Sequence, residues 1–404
     1  YAETRILAEN TMALMRLIAV AWCAACATAL AAEPIRIGVS GPFTGGSSPM
    51  GISMRDGIRV AAAEINAAGG LLGRPLQLVE RDDQARNELG AQIARELVGR
   101  EKVVAGVGIV NTGVALASQH VYQEARIPMI TAVATGTIVT RQFLPPQHPE
   151  NFIFRVSASD SIQAAMIVEE AVERRRFRKL AILADSTNYG QLGREDLERA
   201  LEKKGVRPVA VEKFNIRDAD MTRQLLAARQ AGAEVLLTYG IGPELAQIAN
   251  GTAKLGWAVP IIGSWPLSMS SFIDSAGPNG EGARMPQTFI QEANTPKRQA
   301  FIAAYQKLSR AERMPSPSAA AQGYDAMLLL AAAIRQAGTT HGSRVREALE
   351  NLKGKVDGVI MTYERPFTRS DHEAFDDPGQ VTMGEVSGGR VVRAHEDTRK
   401  KTVK

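Results

Sequence analysis

The stretch that decides the fold runs from Val103 to Thr135 and reads VVAGVGIVNTGVALASQHVYQEARIPMITAVAT. Its apolar spacing predicts a strand, a helix and a second strand, over Val103–Val107, Val114–Ala125 and Ile127–Thr131. Strands joined in this way lie parallel in one sheet, and ligands bind in the crevice at their carboxyl ends. We therefore expect the loops at residues 108–113 and 132–136 to form a ligand site.

The first of these loops ends where the helix begins, at Asn111, Thr112 and Gly113. Backbone N–H groups in the first turn of a helix have no partner inside the helix, so they can bind an anion together with the Thr112 hydroxyl. We expect the anion to be a carboxylate. The alternative is that Asn111 and Thr112 serve only as a helix N-cap.

The alternation of strands and helices extends on both sides of this stretch. Ile35–Ser40 predicts a first strand, and the pattern restarts beyond Pro145–Pro149 with strands at Phe152–Val156 and Leu180–Ala184. This order predicts an α/β fold with two doubly wound lobes joined by a hinge.

The two lobes are each expected to comprise two separate parts of the chain. The predicted divisions are a leader at 1–32, an N-terminal α/β lobe at 33–154 plus about 288–363, a C-terminal α/β lobe at 155–287 plus about 364–396, and a tail at 397–404. The turn-rich segment Phe367–Gln380 is expected to be a surface crossing between the lobes.

The leader has the pattern of a secretory signal. Leu14–Ala31 contains a positive residue, Arg16, followed by the apolar run Leu17–Ala27 and a small-residue cleavage motif. We expect cleavage near Ala31 or Ala32 and a periplasmic location.

Both cysteines of the 404-residue chain, Cys23 and Cys26, lie in this leader, so the mature chain is expected to have no disulfide. Attachment of lipid to Cys26 is the alternative, but Cys23 stands where that motif has a leucine-like residue. The net charge of +5 is modest, and the basic run Arg174–Lys179 follows a predicted helix at Ser161–Glu173. Cations suit a helix carboxyl end, so we expect no nucleic-acid partner.

Sequence patterns for catalysis and cofactor binding are missing. Asn111 replaces the third glycine of a dinucleotide fingerprint that would begin at Gly106. The sequence has no P-loop and no Gly-x-Ser-x-Gly motif, and its five histidines lack the spacing of zinc ligands. We expect no cofactor, no metal and no enzymatic activity.

Several motifs resemble those of type I periplasmic binding proteins, in the Leu/Ile/Val-binding branch that serves ABC transporters. They are EINAAGGLLGR at Glu64–Arg74, Asp82-Asp83, RVSASDS at Arg155–Ser161, DSTNYG at Asp185–Gly190 and GIGPE at Gly240–Glu244. The resemblance extends from about Ile35 to Val392. It implies a monomeric binding protein whose lobes close on a small molecule and deliver it to a permease in the inner membrane.

The resemblance also implies which residues touch the ligand. Its carboxylate would be bound by the first lobe, its body would be enclosed by both lobes, and the residues are Asn111, Thr112, Val133, Thr135, Tyr189, Met50 and Ile241.

One position departs from the pattern of amino-acid binders. Where those proteins have an acidic residue for the ligand's ammonium group, this chain has Trp265. Burial of an ammonium without a carboxylate costs several kcal/mol, and a cation–π contact recovers about 0.5–2 kcal/mol. We therefore expect an aromatic or aryl-keto acid. The alternatives are an ordinary hydrophobic amino-acid binder, with Glu244 or Asp274 as the acid, and a ligand sensor on the same fold.

Overall fold

The computed structural model describes residues 33–395. The predicted signal peptide, its cleavage site, both cysteines and the predicted tail lie outside the described residues. Within residues 33–395, no helix is long and apolar enough to cross a membrane.

The first sheet has five parallel strands in the order β2-β1-β3-β4-β5. The strands are β1 Ile35–Gly41, β2 Leu76–Asp82, β3 Ala105–Gly108, β4 Met129–Thr131 and β5 Ile153–Arg155. The helices between them are α1 Ser48–Ala67, α2 Asn87–Gly99, α3 Thr112–Ala125 and α4 Ile138–Arg141. After β1 the chain continues to β2 on one side, and after β3 it continues to β4 on the other side. The loops after β1 and β3 therefore border one crevice.

The second sheet has seven strands in the order β14-β13-β10-β9-β8-β6-β7. They are β6 Leu180–Asp185, β7 Ala210–Phe214, β8 Val235–Tyr239, β9 Ile261–Gly263, β10 Arg284–Gln287, β13 Thr382–Ser387 and β14 Arg390–Arg393. The helices are α5 Asp160–Val168, α6 Asn188–Lys203, α7 Thr222–Gln230, α8 Gly242–Lys254 and α9 Ser270–Ala276. Here too the order reverses beside β6, which places a crevice between the loops after β6 and β8.

Three later helices complete the first lobe. They are α10 Pro296–Ser309, α11 Pro317–Ala337 and α12 Gly342–Glu350, followed by the short hairpin β11 Lys355–Asp357 and β12 Thr362–Glu364. Helix α11 packs closely against α1, because Gly57 lies against the backbone of Ala320 and Gly323 lies against the backbone of Met54. The predicted fold class, two α/β lobes with mainly parallel sheets, is confirmed. The domain limits given above stay a prediction.

Several boundaries that the sequence pattern predicts are wrong. The pattern predicts a loop over Asp185–Gly190, but the loop ends at Thr187, because the Thr187 side chain caps α6 by accepting from the Gly190 N–H. The helix predicted to end at Glu173 changes at Glu169 into a π-helix that runs through Arg174.

The sequence pattern also predicts short strand-like pieces around Val359–Tyr363 and Val381–Val392. In the first, only Thr362 and Tyr363 belong to a strand, β12. The second is two antiparallel strands, β13 and β14.

The segment Phe367–Gln380 is less superficial than predicted. Phe367, His372 and Phe375 are buried, and the His372 ring stacks on Phe154 with a centroid distance of 3.9 Å. The segment therefore joins the two lobes partly through the interior.

The close approach of α1 and α11 gives a test of the fold. A methyl group at Gly57 would overlap the carbonyl oxygen of Ala320, so Gly57→Ala should force the helices apart. Overpacking costs about 1–3 kcal/mol, and the thermal midpoint should fall by about 3–10 °C. Gly99→Ala is the matched control, because Gly99 is an exposed helical glycine with open space around it. An unchanged midpoint for Gly57→Ala in thermal unfolding would contradict this packing.

Candidate functional site

The two ligand loops predicted in the first lobe lie together. The Thr112 hydroxyl accepts a hydrogen bond from the Gly136 N–H at 3.3 Å, which joins the start of α3 to the loop after β4. Asn111 occupies the N-cap position, but its side chain makes no capping bond. Its amide instead donates to the Ser47 hydroxyl at 3.2 Å, and its Oδ1 is buried without a partner. The Asn111 side chain thus does not cap the helix, and its oxygen is left without a hydrogen-bond donor.

A buried arginine holds the second loop in place. Arg155 is 1% exposed, and its Nη1 donates to the carbonyl oxygens of Thr135 at 2.9 Å and Gly136 at 2.7 Å. Its other guanidinium nitrogens bind both carboxylate oxygens of Glu373, at 2.7 and 2.6 Å. The loop is therefore fixed to the segment that returns to the second lobe.

Two tyrosines and an aspartate form the facing side of the site. Tyr189 lies in the first turn of α6 and Tyr239 ends β8, with their ring centroids 5.0 Å apart. The Tyr239 hydroxyl donates to Oδ1 of Asp160 at 2.7 Å. The Asp160 N–H donates to the Thr135 carbonyl oxygen at 2.8 Å, so this cluster lies directly against the first-lobe loop. The hydroxyl of Tyr189 has no hydrogen-bond partner.

Asp160 has a role that the sequence did not suggest. Its position predicts an N-cap, but the cap is Ser159, whose side chain accepts from the Ile162 N–H. Asp160 is the first residue of α5 and has no exposed surface. Burial raises the pKa of its carboxyl to about 7, although the Tyr239 and Thr135 hydroxyls act in the opposite direction. Its Oδ2 is buried without a well-directed partner.

Trp265 is held from two sides by glutamines. Its backbone N–H donates to Oε1 of Gln163 at 3.3 Å, and its carbonyl oxygen accepts from Nε2 of Gln287 at 3.2 Å. Trp265 lines a small cavity together with Thr135, Gln163 and Gln322. This cavity measures about 10 Å³, which is space for one water molecule, so the lobes are closed on each other.

The remaining predicted residues are buried. Met50, Val133 and Ile241 belong to the same large apolar core as Tyr189 and Trp265, with exposures of at most 7%. Their contact with a ligand stays a prediction.

Both of the alternative acids already have a hydrogen-bond partner. Oε1 of Glu244 accepts from the backbone N–H of Arg217 at 2.7 Å. Asp274 is largely exposed and pairs with Arg313 at 2.5 Å.

The lobes also contact each other at the mouth of the cleft. The Thr137 hydroxyl of the first lobe donates to Oδ2 of Asp196 in α6 at 2.8 Å. A methyl group at Gly113 would lie 2.6 Å from Oδ1 of Asn87 and 2.7 Å from Oδ1 of Asn188, which belong to opposite lobes. These contacts are available only when the lobes are closed.

Sequence reasoning missed Asp160, Arg155, Gln163 and Tyr239. The position of Tyr239 at the carboxyl end of a parallel strand was a usable signal. The other three depend on contacts between distant segments. In residues 33–395, no group of three histidine, cysteine, aspartate or glutamate side chains is placed to hold a metal ion.

Closed α/β lobes with converging loops are the architecture of a binding protein that encloses a small molecule. The chain belongs to the periplasmic binding protein family, whose sequence profile matches residues 34–390. It is similar to proteins that are named for binding leucine, isoleucine and valine.

Three proteins that are similar to this chain differ in their names and bound ligands. The Leu/Ile/Val-binding protein homolog 3 of Brucella melitensis is 29% identical over 85% of this chain and 90% of its own. The substrate-binding protein LivJ of Streptococcus pneumoniae, solved with isoleucine, has a TM-score of 0.76 at 23% identity and covers 89% of this chain and 100% of its own. A solute-binding protein of an ABC transporter from R. palustris, solved with 4-hydroxybenzoate, has a TM-score of 0.77 at 18% identity, over 90% and 96%. At these identities the two structures establish the fold.

The contact between Thr137 and Asp196 gives a test of closure. Thr137→Ala removes two hydrogen bonds of the closed form, the one donated to Asp196 and the one accepted from the Ser161 N–H, each worth about 1 kcal/mol. Small-angle scattering should then give a larger radius of gyration without ligand, and ligand affinity should fall about ten- to thirtyfold. Thr137→Ser is the control, because it keeps the hydroxyl. Equal radii and affinities for the alanine variant and the unmodified protein would show that this contact does not favour closure.

Proposed function

We propose that this binding protein is the periplasmic component of an ABC importer and that it captures an aromatic or aryl-keto acid between its two lobes. The observation that supports the ligand class is the identity and burial of Trp265, which is 6% exposed and lines the small cavity, at the position where the sequence resemblance puts the acid of amino-acid binders. An indole offers an apolar face to an aromatic ring, whereas it offers little to an ammonium group.

The free energy of burying an ammonium group disfavours an amino-acid ligand. An α-ammonium group transferred to this closed site without a carboxylate partner would lose several kcal/mol of hydration free energy. Each 1.4 kcal/mol is tenfold in affinity, so a micromolar amino-acid ligand would become millimolar or weaker. A carboxylate without an amino group avoids this cost.

The first lobe is proposed to bind the ligand before closure. The Thr112 hydroxyl, the backbone at Val133 and the Thr135 side chain would receive the carboxylate, near the amino end of α3. Tyr189 and Trp265 would then cover the ligand from the second lobe. Ligand contacts made only in the closed state would drive the closure.

The biological setting follows from the family. Members of this family are binding proteins and not enzymes, and they work with ABC permeases. We propose export to the periplasm after cleavage near Ala31 or Ala32, delivery to an inner-membrane permease, and action as a monomer.

A branched-chain or other hydrophobic amino acid is the second candidate. It is favoured by the name of the Brucella melitensis relative and by the buried carboxyl of Asp160, which could pair with an ammonium group. A thermal-shift experiment separates the two candidates.

We expect benzoate, 4-hydroxycinnamate or phenylpyruvate to raise the thermal midpoint of the mature protein, and leucine and phenylalanine to leave it unchanged. A ligand at a hundred times its dissociation constant adds about 2.7 kcal/mol, which is several degrees for a protein of this size. If leucine or phenylalanine gives the largest shift, the aromatic-acid proposal is wrong and the chain binds amino acids.

The carboxylate site is tested by Thr112→Val, which removes the hydroxyl at nearly constant volume. Loss of a hydrogen bond to a charged group costs about 1.5–3 kcal/mol, so affinity for the acid found in the panel should fall about 10- to 100-fold in calorimetric titration. Thr252→Val is the matched control, because Thr252 is also buried but its hydroxyl donates to Ala249 within α8. Equal affinities for the two variants would show that the Thr112 hydroxyl does not bind the ligand.

A further inference from the structure

The carboxyl of Asp160 is buried between residues of both lobes. It has no exposed surface, and only its Oδ1 has a well-directed bond, from the Tyr239 hydroxyl. Oδ2 is buried and has no such partner. The Thr135 hydroxyl acts to lower the pKa of the Asp160 carboxyl, and the charge of that carboxyl acts to raise the pKa of Tyr189. Thr135, whose carbonyl oxygen accepts from the Asp160 N–H, lines the small cavity together with Trp265, so Asp160 contacts a residue of the cavity lining.

The charges around Asp160 do not compensate a carboxylate there. The groups that face it are Arg155 from β5, Tyr239 from β8, and Tyr189 and Asp196 from α6. Arg155 already forms a bidentate pair with Glu373, and Asp196 adds a like charge. A ligand carboxylate placed beside an ionised Asp160 would add a second like charge in a buried site.

We propose that Asp160 binds the ligand as a neutral carboxylic acid, whose O–H donates a hydrogen bond to an oxygen of the ligand's carboxylate or 2-oxo group. This inference rests on the proposed function and makes Asp160 a residue that selects the ligand class. The proton stays on the Asp160 carboxyl and no covalent bond changes. A donor carboxyl and an anionic ligand are complementary, whereas an ammonium ligand would require the ionised form.

The raised pKa of Asp160, about 7, makes this selection measurable near neutral pH. The neutral fraction of such a group falls from about nine-tenths at pH 6 to about one-tenth at pH 8. Affinity for an acid that needs the neutral form should therefore fall about tenfold over this range, with protons taken up on binding. Affinity for an amino acid that needs the ionised form should rise about tenfold, with protons released.

The experiment is calorimetric titration with phenylpyruvate, benzoate, leucine and phenylalanine at pH 6, 7 and 8, in buffers of different ionisation enthalpy. We expect the two acids to bind with proton uptake and with affinity that falls about tenfold from pH 6 to pH 8. Asp160→Asn should bind the acids with an affinity that no longer depends on pH, close to that of the unmodified protein at pH 6.

The matched control is Asp325→Asn in α11. The pKa of Asp325 is also about 7 and its side chain is fully buried, but both oxygens accept hydrogen bonds within the first lobe, from Val359, Ile360 and Tyr363. Its replacement should leave the pH dependence of binding intact.

A ligand-free measurement checks that Asp160 titrates in the folded protein. Its raised pKa favours folding below the ordinary carboxyl range, and this contribution is lost as the pH rises through 7. The thermal midpoint should therefore fall less between pH 6 and pH 8 in Asp160→Asn than in the unmodified protein. Identical profiles would overturn the inference.

The remaining outcomes separate this inference from the proposed function. Binding of the acids with no pH dependence, or with the same dependence in Asp160→Asn, would overturn the role of Asp160 and leave the proposed ligand class intact. Tight binding of leucine or phenylalanine, with proton release that Asp160→Asn abolishes, would overturn both. If none of the four compounds binds, the proposed ligand class is wrong and this inference with it.

Discussion

The site depends on the buried guanidinium of Arg155. It binds two carbonyl oxygens of the loop after β4 and both carboxylate oxygens of Glu373, which also accepts a hydrogen bond from the Thr140 hydroxyl. Removal of one partner from a buried ion pair typically costs about 3–5 kcal/mol, because the other charge is left uncompensated. Arg155 thus links the first-lobe loop, the end of the first sheet and the returning segment, and these are the parts that must stay aligned while the lobes move.

The strand order of the two sheets explains why each lobe can form its half of the site separately. The loops after β1 and β3 converge because the strand order reverses in the first sheet, and those after β6 and β8 converge for the same reason in the second. Each lobe therefore presents half of a crevice at a rigid sheet edge. Closure brings Thr135 of one half against Asp160 and Trp265 of the other.

Local pattern was enough to predict the fold class and the first-lobe loops. The apolar spacing of Val103–Thr135 depends on nearby residues only, and the structure has β3, α3 and β4 there within two residues of the predicted bounds. The role of Asp160 was not predictable in this way. Its burial depends on Tyr239, which is 79 positions away, and on Thr135 in the other lobe. The anchoring of Arg155 by Glu373 spans 218 positions, and the sequence around Glu373 gives only turn signals. Boundaries such as the start of α6 were missed because a single capping threonine decides them.

The central claim is that the lobes close on a small carboxylate, and a distance between them tests it most directly. The chain contains no cysteine after Cys26, so spin labels can be attached to cysteines introduced at the exposed residues Glu88 and Ser186, which lie on opposite sides of the cleft mouth. Pulsed electron–electron double resonance should give a longer, broader distance distribution without ligand. Saturation with the acid that gives the largest thermal shift should change it to a single shorter distance, whereas the same distribution with and without that acid would contradict closure on the ligand.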